Sequence, residues 1–103
     1  MPTAMFDSLA LMMVLAAAPP AESLAERKAA WYDCLTSYAQ SEIPGQAAPI
    51  VIALDAMATC KSEQTSYQLA LLRERGRSAP ADLLVEEDRA AAKSVVAFVN
   101  RSR

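Results

Sequence analysis

Two glycines, Gly45 and Gly76, are all that 103 residues contain, and this scarcity constrains the fold more than any motif does. Glycine takes positive φ freely, so hairpin turns, phosphate-cradling loops and close backbone approach to a ligand have almost no material to form from. Helices need none of these. The length suits one small domain and no second. At 53% hydrophobic and 21% charged residues the chain is too apolar for a disordered tail, although much of that apolarity is alanine. The expected fold class is all-α. Ten basic against 12 acidic side chains give a net charge of −2, which leaves no positive excess to recruit nucleic acid.

From Leu9 to Ala18 the chain reads LALMMVLAAA, followed at once by Pro19 and Pro20. The run has the length of a secretory signal core, roughly 7 to 15 residues, and is about half a membrane span. It shows no polar face, unlike an amphipathic helix. Residues 1–25 therefore read as a signal peptide, cleaved after Ala25 or, as the second choice, after Ala21; Pro19 obstructs a cut after Ala18. The stretch before the apolar run carries Asp7 and no lysine or arginine, which is an unusual start for an export signal. A short uncleaved anchor is one alternative. Another is a cytosolic helical regulator with residues 1–25 built into its fold. Cleavage after Ala25 removes Asp7 and Glu22, leaving ten acidic and ten basic side chains and little basis for steering a strongly charged partner.

Residues 26–103 form the expected helical domain, with helices at about 22–40, 49–75 and 80–101. The first places Leu24, Trp31, Cys34, Leu35 and Tyr38 on one face, with Glu26, Arg27, Lys28 and Asp33 elsewhere. Pro44 and Gly45 end it. Pro49 suits a first helical position and Gly76 a C-terminal cap, and between them Ile50, Ala53, Leu54, Met57, Cys60, Tyr67 and Leu71 form a stripe that Gln64 interrupts. The polar stretch KSEQTS at 61–66 is a candidate break. Pro80 and Asp82 introduce a third helix whose acidic start, Glu86, Glu87 and Asp88, and basic end, Arg101 and Arg103, complement its dipole. Its expected buried stripe is Val85, Ala92, Val95, Val96, Phe98 and Val99.

A core of this size is marginal without a covalent staple. Cys34 and Cys60 lie on the expected inner faces of consecutive helices, so an antiparallel hairpin brings them together. A Cys34–Cys60 disulfide is the central structural expectation, supported by an exported chain's oxidising surroundings. In the chain-entropy account it is worth about 3.5 kcal/mol.

Catalysis finds little footing. Redox cysteines usually sit two residues apart at an exposed helix start, whereas 25 residues separate these. Two cysteines without any histidine do not make up a metal site, and imidazole-based hydrolysis is excluded. Lys28, Lys61 and Lys93 lie among polar or small residues, as solvated lysines do, and Glu86, Glu87 and Asp88 read as a solvated helix start. No cofactor, metal or enzyme activity is expected. Trp31 and Tyr38 read as core, while Tyr32 lies off that stripe and marks a candidate contact surface. Alanine-rich helices also suit packing against another helix, including a second copy of the chain.

The combination of an apolar leader, WYDC at 31–34 and ALDAMATC at 53–60 resembles small secreted two-cysteine helical proteins of alphaproteobacterial type. The resemblance spans roughly residues 25–75 and brings no activity with it. A more distant likeness is to periplasmic acid-stress chaperones, small helical proteins held by one disulfide; the cysteine spacing differs here, so no functional residue carries over. The expected role is a noncatalytic periplasmic or secreted module that meets another protein or the envelope. An acid-activated chaperone is the alternative within the same compartment.

Overall fold

A computed structural model of the chain describes residues 22–103; the expected signal segment, as far as residue 21, lies outside them. The described residues form four α-helices: α1 (Leu24–Glu42), α2 (Pro49–Thr59), α3 (Lys61–Arg75) and α4 (Leu83–Ser102), with a 3-10 turn at Gly76–Ser78. Ser23 starts α1 from an extended conformation, its hydroxyl accepting the Glu26 N–H at 3.1 Å, which satisfies one of the orphan donors of the first turn. Pro49 stands at the start of α2, where its missing N–H costs nothing. Gly76 closes α3 at φ 57°, a left-handed conformation that side-chain-bearing residues disfavour. Asp82 stands before α4 without a side-chain cap bond.

The expected helix over 49–75 is two helices, giving four rather than three. Cys60 leaves helical geometry at φ −96° and ψ 29°, and the chain turns there. The break falls one residue before the polar stretch that was the candidate. The turn lets α2 pack chiefly against α4 and α1 while α3 packs against α1. Contacts along α1 fix the directions: Arg27 meets Ser66, and Cys34 is bonded to Cys60, so α2 and α3 return antiparallel to α1. Lys28 pairs with Glu87 near the start of α4, and Arg103 reaches the carbonyls that follow α1, so α4 runs parallel to α1.

The core lies where the four meet. Trp31, Leu35 and Ala39 come from α1, Ile52, Ala53 and Ala56 from α2, Tyr67 and Leu71 from α3, and Ala91, Val95 and Val99 from α4, with Cys60 at the joint. Each set recurs at three or four residues, the spacing of one helical face, with Ile52 and Ala53 side by side in α2. Three expected core residues lie outside it: Ile50, Leu54 and Val85 are 53%, 61% and 55% exposed. In α2 the inward face is that of Ile52, Ala53 and Ala56, which turns Ile50 and Leu54 outward.

Candidate functional site

The expected disulfide is present. Cys34, in the middle of α1, is joined to Cys60, with their Cα atoms 5.9 Å apart and no free cysteine among the described residues. Cys60 is fully buried and Cys34 half-buried. A carboxylate oxygen of Glu63, one turn into α3, lies within 4.8 Å of both sulfurs; with the sulfurs bonded to each other, neither is a thiolate ligand.

A polar and aromatic cluster closes the other end of α1. Trp31 stacks on Tyr67 at 5.7 Å between centroids and meets Tyr32 edge-on at 5.5 Å. Above the two tyrosines sits the Lys28 ammonium, 5.7 Å from the Tyr32 ring and 5.9 Å from Tyr67, within reach of cation–π attraction. The same ammonium pairs with Glu87 at 3.7 Å. Tyr32, the candidate contact residue, is thus half-buried beneath a lysine. Burial first, and the Glu87 charge second, push the Tyr67 phenol up to about 12, and the same two causes raise Tyr32. Both phenols keep their protons across the physiological range.

The acidic triplet departs from the expectation of a solvated start to the helix. Glu86 is solvated, paired with Arg89 at 2.6 Å, but Glu87 keeps only 19% of its side chain exposed and Asp88 is half-buried. Asp88 Oδ1 accepts from the amides of Gln64 and Gln68, both at 2.6 Å. The interruption that Gln64 makes in the apolar stripe is therefore a polar clasp between α3 and α4. Two buried polar atoms, Trp31 Nε1 and Gln64 Oε1, have no hydrogen-bond partner among the described residues.

The remaining feature is a groove of about 390 Å³ between α2 and α4. Ile50 and the α4 residues Ala92, Val96 and Ala97 line it with hydrocarbon; Arg89, Lys93 and Asn100 supply its polar edge. The apolar surface continues along α2 through exposed Val51 and Leu54. Sequence patterning missed this site, because it assigned Ile50 to the core and gave no sign that Ala92 and Val96, which pack against the core, keep part of their surface open. The signal available was the cationic i, i+4 pair Arg89 and Lys93 beside small apolar residues.

No helix among the described residues is long and apolar enough to cross a membrane. No family model, curated protein or solved structure matches the chain.

Proposed function

We propose that this chain is a noncatalytic exported binding module, a helical domain of the periplasm or extracellular space that presents its surface to another molecule of the envelope. The observation that carries the reading is the Cys34–Cys60 bond between α1 and the joint of α2 and α3, which uses both cysteines. A disulfide at the centre of a small core persists where thiols are oxidised and is rare in the cytosol. The apolar run Leu9 to Ala18 supports the same compartment. Of the two cleavage sites, the one after Ala21 keeps Ser23 and its cap on α1, whereas a cut after Ala25 removes the cap and the first helical residues. Mass spectrometry of the native protein, with and without reductant and alkylating agent, tests the reading. The expected result is a mature N-terminus at Glu22 or Glu26 and no label before reduction. An intact leader with two labelled thiols sinks it and favours a cytosolic helical regulator.

A second reading, an acid-activated chaperone, is favoured by the placement of Glu87 and Asp88 at contacts between helices. Protonating them removes an ion pair and a charged acceptor, while the basic side chains remain and repel. Retained near-UV dichroism at pH 2, with no suppression of client aggregation, excludes it.

A further inference from the structure

The groove between α2 and α4 has a floor and an edge of different chemistry. Its floor is hydrocarbon from Ile50, Ala92, Val96 and Ala97; its edge carries Arg89 and Lys93, one turn apart, and no carboxylate is among its lining residues. Arg89 is held by Glu86 through a single nitrogen, and Lys93 has no ion-pair partner among the described residues. Both cations are nearer the N-terminal end of the groove. From Arg89 to Asn100 the wall runs about 16 Å at the rise of an α-helix. An open apolar trough bordered by two cationic side chains matches a molecule with an anionic head and a single hydrocarbon tail.

We propose that this groove binds a free long-chain carboxylate, a fatty acid, with its head at Arg89 and Lys93 and its tail along Val96, Ala97 and Ile50 toward Asn100. The volume lies in the range of small-molecule sites. A helical protein partner fits less well, since a stable interface takes about 800 Å² and roughly 20 to 30 residues from each side, whereas the four apolar residues of the floor with exposed Val51 and Leu54 beside them make six. A second copy docked in parallel, across a two-fold axis that runs along the groove, brings Arg89 and Lys93 against their own equivalents, which costs association energy. The assignment rests on the binding-module reading and names the ligand class for it.

The test is displacement of cis-parinarate, a fluorescent long-chain carboxylate, from the native disulfide-bonded protein. Dodecanoate is expected to displace it saturably, with dodecanol and dodecyltrimethylammonium at least about tenfold weaker. Lys93→Glu is expected to weaken the carboxylate about tenfold. Ile50→Glu is expected to abolish binding. Both positions are exposed, so the fold survives either change, which far-UV dichroism checks. Equal affinity for the alcohol, unchanged affinity in both variants, or no saturable binding overturns the proposal. So does a concentration-dependent dimer that Ile50→Glu dissolves, since the groove is then an interface between copies. A mature, disulfide-bonded protein that fails to bind overturns the ligand and leaves export standing; a leader-bearing, reduced protein that binds does the reverse.

Discussion

Asp88 shows how one carboxylate can settle the fate of two neighbours. Its Oδ1 accepts from the buried Gln64 amide and from Gln68, so Asp88→Ala leaves a buried amide without an acceptor. An unmade hydrogen bond of this kind costs about 1 to 3 kcal/mol. Urea denaturation is expected to show that loss for Asp88→Ala and a smaller one for Asp88→Asn, which keeps an acceptor oxygen. Tyr67 is expected to give the domain an alkaline limit. In the unfolded chain its phenol ionises near 10, and in the fold it holds its proton to about 12. Between those values the folded state binds more protons, so stability falls as pH rises through the window and is fully present below it. The urea midpoint followed from pH 9 to 12 is expected to decline, and Tyr67→Phe to flatten part of the decline. These roles were only partly legible in the sequence. Trp31, Tyr67 and Leu71 as core follow from helical period, but whether a polar residue on that stripe is a flaw or a clasp depends on which residue the facing helix supplies. Asp88 is 24 positions away, and periodicity says nothing about that.

At the level of elements, the ends of the helices carry the least obvious device. Arg103 donates to the carbonyls of Glu42, Ile43, Gly45 and Ala47 at 2.7 to 3.3 Å. Helix α1 has no basic residue in its own last turn, and because α4 runs parallel to it, the cation at the end of α4 serves the C-terminal carbonyls of α1 as well. Arg103→Ala is expected to cost about 1 kcal/mol, an exposed cluster being worth less than a buried one, and to speed amide exchange in 43–48. The ends of α1 and α4 fall within three residues of the expected 22–40 and 80–101, which Pro44, Pro80 and Asp82 helped to mark. The polar stretch 61–66 pointed to a break, but its place at Cys60 was not readable. Positions 53, 56, 60, 64, 67 and 71 are all buried and run through the joint at spacings of three and four, so the stripe keeps its phase while the backbone turns. No proline or glycine marks the place, and what distinguishes it is a bond to a residue on another helix.

For the molecule as a whole, stability leans on that bond. The core has one tryptophan and several alanines, and alanine buries little area. Reduction, or Cys60→Ala, is expected to lower the unfolding free energy by up to about 3.5 kcal/mol, read as a shift in urea midpoint between oxidised and reduced samples. That the chain would be helical and crosslinked followed from two glycines and two inward-facing cysteines. The α2–α4 groove did not, because it exists only where two separately reasonable apolar stripes fail to cover each other.

The crosslink also encloses the exposed segment at Pro44, Gly45 and Gln46 within a covalent ring from residue 34 to residue 60. A protease that severs the backbone there releases nothing: the two pieces migrate together until dithiothreitol parts them. A nick at this exposed bend is thus invisible on a non-reducing gel, and the domain can outlive a cut that would dismantle an unlinked bundle.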